Sequence, residues 1–414
     1  MKEFYHAQRT LGERCNECMH CVRICPTQAI RIHSHQIDIV NELCIDCGEC
    51  INICPEHVYE PVADGAENFT SYTYKVVIPS PVLYAQFDIG IHPSFIHRAL
   101  LQMGFDEVMD IGEETEQFGV VLLHHIRLHP ESIPMVSSFC PAIVRLIQVR
   151  YPNLIGNIIP LEVPREMLAK RIKQTFPTKL GLKQEEIGVF YLTPCPAKIV
   201  SIREPAEKAS SWIDGAIPIR DIYNLITPKL LEILKDNPVP PKGGFVYGKG
   251  WSVMGHFSQD VGSEYCLTVA GIGHVKRIFD DIESGRLKNI AVIEALACNQ
   301  GCVGGSFCAE NPYIARHHSF RLQREYGSHG ELDAAALIAA YDRGEYSLEH
   351  PILPRPLHLG DDLATSIKRM RQKERILGQL PHKNCSLCGS PSCDIFAEDC
   401  AYGLADVTEC VFFK

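Results

Sequence analysis

An α/β core with parallel sheets flanked by helices, joined to two small cysteine-rich units, is the architecture this sequence predicts. Three observations predict it. The nineteen cysteines of the 414-residue chain fall in three groups: eight in residues 15–54, six between 140 and 308, and five in 385–410. Between the outer groups, apolar runs alternate with helical patterns, which implies parallel strands joined by crossover helices. Several of those runs end on a cysteine, at the strand ends where such folds gather ligands. Composition bounds the rest. With 46% hydrophobic and 22% charged residues the chain can bury a large core, and a net charge of −10 argues against a nucleic-acid surface. No apolar run reaches the ~18 residues of a membrane span, and MKEFYHAQRTLGER at the N-terminus has no apolar signal core. A cytoplasmic protein with no membrane and no nucleic-acid partner is expected. In a reducing compartment, clustered thiols read as metal ligands.

Residues 1–62 hold an internal repeat. CNECMHCVRICP begins at Cys15 and CIDCGECINICP at Cys44. Each has the spacing C-x2-C-x2-C-x3-C-P of the bacterial ferredoxin run, in which three thiolates bind one cube and the fourth crosses to the other. Cys15, Cys18, Cys21 and Cys54 are expected to hold one 4Fe-4S cluster, and Cys44, Cys47, Cys50 and Cys25 the second. The spacing is wrong for a pair of zinc sites. A small α+β domain follows, each half a short hairpin plus a helical turn, with 29–40 (AIRIHSHQIDIV) reading as strand, turn, strand.

The second unit spans residues 70–355. PMVSSFC ends in Cys140, IGVFYLTPC in Cys195, and LKNIAVIEALAC in Cys298, with Cys302 following. These runs read as buried strands. AIVRLIQVRY, IRDIYNLITPKLLEILKD and GHVKRIFDDIES between them read as helices, and Pro141 suits a first helical turn. Any one of the four cysteines alone could be an ordinary buried thiol. Together, at strand ends, they make one 4Fe-4S site. Cys195 has Lys198 three residues on, and the glycines of EALACNQGCVGG are expected to let backbone approach a bulky ligand.

These segments resemble the three signature motifs of the FeFe-hydrogenases: SSFCP the first, TPCPAK with Glu204-Pro205 the second, EALACNQGCVGG the third. KVVIPSPVLYAQF (75–87), MGFDEVMDIG (103–112), GWSVMGH (250–256) and TVAGIGHVKRIFDDI are similar to other family segments, so the likeness covers roughly residues 75–320. The resemblance implies an H-cluster: a cube on Cys140, Cys195, Cys298 and Cys302, bridged through Cys302 to a two-iron subcluster with CO, cyanide and azadithiolate. It implies that Lys198 donates to one cyanide and that backbone around Ser80 and Pro81 faces the other. The implied reaction is the reversible conversion of H2 to protons and electrons.

The pattern also departs from the family. Phe139 stands where catalytic members have a proton-shuttling cysteine, and a phenyl ring relays no proton. Thr193 and Leu296 occupy positions where methionine is usual. The glutamates expected before the first motif are not evident; His124 and His125 stand there, either as relays or merely packed. Such departures resemble the sensory branch, so slow turnover with a sensory or regulatory role is expected. The alternatives are a catalytic subunit exchanging electrons with a ferredoxin or flavin partner, and an iron–sulfur scaffold or assembly protein lacking the two-iron unit. A homodimer is possible.

In residues 376–414, Cys385, Cys388, Cys393 and Cys410 give C-x2-C-x4-C-x16-C, resembling the small helical one-cluster domain of sensory-type hydrogenases; zinc is the alternative ligand. The stretch HPILPRPLHLG (350–360) reads as a tether and IKRMRQKERILG as a basic docking helix. No signalling domain of its own is expected after Lys414, so a downstream signalling protein or a redox partner is expected to read it. Cys266, Cys308 and Cys400 are expected to be packed thiols.

Overall fold

The computed structural model describes residues 5–33, 36–64, 71–236, 238–241, 245–262, 265–287, 289–327, 332–355 and 362–413. They divide into two compact units, residues 1–62 with 354–414, and residues 63–353. Among the described residues, no helix is long and apolar enough to cross a membrane.

The first unit begins with β1 (Gln8–Thr10), α1 (His20–Ile24), the hairpin strands β2 (Ile30–His33) and β3 (Gln36–Ile39), α2 (Glu49–Ile53) and β4 (Tyr59–Pro61). The 29–40 segment is the hairpin its sequence suggests, its tip at 34–35 lying outside the described residues. The second ladder is not a hairpin. It pairs β1, before the first cysteine run, antiparallel with β4, after the second. The sequence repeat reappears in the backbone as left-handed residues at matching places: Glu17 and Asp46, Met19 and Gly48, Gln28 and His57. Each such residue reverses the chain sharply, which is how a run this short wraps a compact centre.

The second unit alternates strand and helix: β5 (Tyr74–Pro79), α3 (Pro93–Leu101), β6 (Glu107–Val108), α4 (Gly112–Leu128), β7 (Met135–Val136), α5 (Pro141–Arg150), α6 (Pro164–Leu180), β8 (Ile187–Thr193), α7 (Pro196–Arg203), β9 (Gly215–Pro218), α8 (Ile219–Lys235), α9 (His256–Val261), β10 (Cys266–Ala270), α10 (Ile272–Glu283), β11 (Val292–Leu296), α11 (Pro312–Tyr326) and α12 (Ala334–Asp342). They build two parallel sheets, ordered β6-β5-β8-β9 and β10-β11-β7. Strands β8 and β11 are buried at every position, as strands covered on both faces are. The run ending at Cys140 forms a shorter strand than its apolar pattern suggests. Ser137 Oγ takes the Ala295 N–H at 3.1 Å, so a side chain replaces a carbonyl there and the ladder stops.

The chain then returns to the first unit with α13 (Leu363–Leu377) and α14 (Cys393–Ala401). The basic stretch is the helix α13, and Ile376 and Leu377 at its end pack against Phe396 and Ala397 of α14. Residues 356–360 of the expected tether lie outside the described residues. The segment before α14 joins β2: Gly389 O accepts from Ile32 N at 3.0 Å. Gly389 has φ +84°, and a Cβ there would overlap Ile32 O, so only glycine permits this approach. Beside it, Arg31 and Asp399 form a 2.7 Å ion pair whose side chains are 9% and 7% exposed, and Ser390 donates to the same carboxylate at 2.6 Å.

Candidate metal centres

In the first unit, local backbone aims N–H groups at the sulfurs. Ala29 N donates to Cys25 Sγ at 3.2 Å and Val58 N to Cys54 Sγ at 3.5 Å, the same bond in each repeat. Glu17 N donates to Cys15 Sγ at 3.4 Å. Such bonds stabilise negative charge on cluster sulfurs and set their potential. Burial raises the Cys44, Cys47 and Cys50 thiols, and in each case the Cys25 thiolate adds to the effect. Cys21 is raised by burial, opposed by Tyr59 and reinforced by Cys15 and Cys18. The charge of Cys25 thus acts on the second run and those of Cys15 and Cys18 on Cys21, while Cys21 also acts on Cys50 and Tyr59 feels Cys21, Cys50 and Cys54.

The C-terminal cysteines also gather. Burial pushes the Cys388 thiol up to about 11, with Cys410 and Cys385 contributing, and Cys388, Cys393 and Cys410 share one apolar cluster with Phe396. Ser392 caps α14, and Asn384 accepts from Cys393 N at 2.8 Å. Among the described residues, the set of three potential ligand atoms lying within 4.8 Å of one another is His6, Cys44 and Asp46; no trio of cysteines is so close. The His6–Asp46 approach is a 2.9 Å hydrogen bond.

In the second unit, strands of both sheets deliver the candidate residues. Cys140 follows β7 and caps α5, with Pro141 at its first position; Cys195 follows β8 and caps α7, with Pro196 likewise placed. Cys298 lies just past β11, and its carbonyl accepts from Gly301 N at 3.2 Å. Cys302 is set by the same loop: Gly301 has φ +93° with its Cα against Ser252 O, and Cys302 N donates to that oxygen at 2.7 Å. The glycines after Cys302 do not admit a ligand, as the sequence suggested. A Cβ on Gly304 would collide with Asn299 O, and one on Gly305 with Pro194 O. They pack the third motif onto itself and onto the second.

Lys198, on α7, is the centre of the charge pattern. The residue is 6% exposed, and its ammonium donates to Cys302 Sγ at 3.4 Å. Burial pushes it down, and the thiolates of Cys302 and Cys195, with Tyr191 and Cys140, overcome that and hold it above its ordinary range. Cys140 and Cys195 are raised by burial, with Lys198 opposing. One sulfur thus contacts the buried cation directly, and the charges of two more act on it.

Ser80, Pro81, Phe139, Lys198 and Cys302 all line one pocket. Phe139 belongs to an aromatic wall, with ring centroids 5.2 Å from Trp251 and 5.5 Å from both Phe118 and Phe257. His124 and His125 are not in this pocket. His125 bonds Tyr341 at 2.8 Å and lines a separate cavity of about 560 Å³; burial and the neighbouring His129 lower it to about 4. Cys266 lies in an apolar core, Cys308 donates to Cys302 O at 3.5 Å, and Cys400, on α14, packs against the cluster around Phe396. The pocket also holds Arg165, Tyr191 and Ser252. Trp251 and Ser252 belong to the GWSVMGH segment already singled out in the sequence. Arg165 had no such signal, since VPREML reads as the exposed start of a helix.

Comparison with known proteins gives the same picture. Residues 74–250 match the family "Iron only hydrogenase large subunit, C-terminal domain", residues 14–59 a "4Fe-4S dicluster domain", and residues 380–412 an Fe-S cluster family. Iron hydrogenase 1 of Clostridium pasteurianum is 24% identical over 51% of this chain and 44% of its own length. The NADP-reducing hydrogenase subunit HndD of Solidesulfovibrio fructosivorans is 22% identical over 70% of this chain and 55% of its own. The chain thus spans about half the length of these two relatives. The cytosolic Fe-S cluster assembly factor NAR1 homolog of Schizosaccharomyces japonicus is 28% identical over 27% of this chain and 21% of its own. Among solved structures, a single-residue variant of the [FeFe]-hydrogenase HydA1 from Chlamydomonas reinhardtii shares the fold at a TM-score of 0.50 and 17% identity, covering 71% of this chain and 97% of that one.

Proposed function

We propose, for a chain that is a divergent FeFe-hydrogenase-like protein with an N-terminal iron–sulfur domain, that it binds and slowly interconverts H2 with protons and electrons at an H-cluster, in a sensory or regulatory role. The observation that carries this reading is Lys198: a buried ammonium beside Cys302, in a pocket walled by Ser80, Pro81 and Phe139. A lone buried cation is costly unless a charged partner faces it. The four cysteines would hold the cube, and Cys302, Lys198, Ser80 and Pro81 would hold the two-iron subcluster.

When bound, that group supplies the two-electron chemistry of hydrogen. The protein's own part is to fix, dry and shield it. Lys198 offers strong charge-assisted donors in a low-dielectric pocket. Phe139, Trp251, Phe118 and Phe257 exclude water on one side and offer no transferable proton there. That fits slow turnover. The cysteine sets of the first unit would carry electrons toward a ferredoxin-like, flavin or signalling partner.

Infrared spectroscopy of the matured protein tests the reading. Bands of bound CO and cyanide are expected, and they are expected to move under H2. The likeness to NAR1 favours a second reading, an iron–sulfur assembly protein. Cube signals in electron paramagnetic resonance with no CO or cyanide bands would leave only that one.

A further inference from the structure

We propose that Arg165 is a second cationic anchor of the pocket, donating from its guanidinium to an anionic ligand of the group that Lys198 and Cys302 hold. This rests on the H-cluster reading and adds a residue to it. Arg165 is the second residue of α6, after Pro164 at the first position. A charged side chain at a helix start is ordinarily solvated, yet Arg165 is 6% exposed and lines the same pocket as Lys198, Cys302 and Ser80.

Its hydrogen bonding is incomplete in one direction. Nη2 donates to Ser201 Oγ at 3.0 Å. Ser201 lies on α7, the helix of Lys198, and its hydroxyl donates to Lys198 O at 2.9 Å. One helix therefore carries the first cation and orients the second. Nε, by contrast, is buried with no hydrogen-bond partner. An unmatched buried donor costs its full desolvation.

The neighbouring acids do not bond to it. Glu162 and Glu166 both pair with the buried Lys208, and Glu166 also accepts from Ser211 and Trp212 N. Among the described residues, no carboxylate forms an ion pair with Arg165. Its charge acts on Tyr191 and Cys195, which border the candidate centre. Two buried cations on one pocket, neither paired with a carboxylate among the described residues, call for an anion beside them. A cyanide-bearing group has two anionic ends, and a planar guanidinium and an ammonium suit two separate acceptors.

The test uses the full chain, matured with its two-iron group, as wild type, R165K, R165Q and R165M. Infrared spectra are read beside paramagnetic resonance of the cubes and the midpoint potential of the pocket centre. In R165M one cyanide band is expected to move to lower wavenumber while the other stays, because only one end loses its donor. The midpoint potential is expected to fall, since an added electron loses a fixed positive neighbour. R165K is expected to keep the potential better than the band position, because it retains charge without the fork. Loss of the bands in R165M with retention in R165K would also support the anchor. Unshifted bands and potential in R165M would overturn the Arg165 role alone. Loss of bands and core cube signal in every variant, R165K included, would overturn it in favour of a packing role. A wild type without CO or cyanide bands would overturn the H-cluster reading itself.

Discussion

The two units collect sulfur in opposite ways. In residues 15–54, eight cysteines come from two short runs, and the geometry is local: the same left-handed residues and the same N–H···S bonds recur in each repeat. In the second unit, the four candidate cysteines come from three stretches between 140 and 302, and two parallel sheets carry the elements that place them. A local site can be altered one ligand at a time. A site assembled by topology carries its specificity in what surrounds it: a buried lysine, an aromatic wall, and glycines that close one motif onto another.

The largest effect that could break this contrast is loss of a core ligand. Cys140→Ala is expected to abolish the core cube and every CO and cyanide band while the signals of the first unit persist; loss of all signals together would erase the distinction. Next is the buried Arg31–Asp399 pair, which ties α14 to β2. Arg31→Met strands a carboxylate that, among the described residues, Ser390 alone still serves, and about 3–5 kcal/mol of stability is expected to go. The double variant Arg31→Met/Asp399→Leu is expected to recover most of that in denaturant melts, and no recovery would show that the pair does more than compensate itself.

A smaller effect lies on β11. Burial raises the Glu294 carboxyl to about 7 against hydrogen bonds from Thr268 and the Gly255 backbone, and its Oε1 has no partner. The folded state therefore prefers the protonated acid. Stability from this group is complete below the ordinary value of 4.5 and is lost as pH rises to about 7, to the extent of about 3 kcal/mol. Glu294→Gln is expected to flatten that slope in melts at pH 5 and pH 8; an unchanged slope would place the titration elsewhere. Last, Phe139→Cys gives the aromatic wall a transferable proton, and hydrogen evolution is expected to rise about 100-fold, near 2.7 kcal/mol in barrier. An unchanged rate with the centre intact would mean that proton delivery at this position does not limit turnover.

Much of this was legible in the sequence because it is local or periodic. The cysteine runs, the buried strands before Cys195 and Cys298, the proline helix start at 141, and helices α5, α8 and α10 all follow from spacing and alternation. What stayed hidden depends on distant partners. Arg31 and Asp399 lie 368 positions apart, and nothing near either marks it as buried. Gly389 looks like a turn glycine until Ile32 O is placed beside it. Gly304 and Gly305 read as room for a ligand, whereas the space they leave is filled by other backbone. Arg165 reads as a solvated helix start, and its bond to Ser201, on the helix of Lys198 and 36 positions away, has no local signal.

Iron-edge anomalous diffraction from crystals of the matured protein tests the central claim most directly. Density for a cube among Cys140, Cys195, Cys298 and Cys302, with a separate two-iron peak joined at the Cys302 sulfur and facing Lys198, is the predicted result. A map with iron in the first unit and none bridging those four side chains would contradict it.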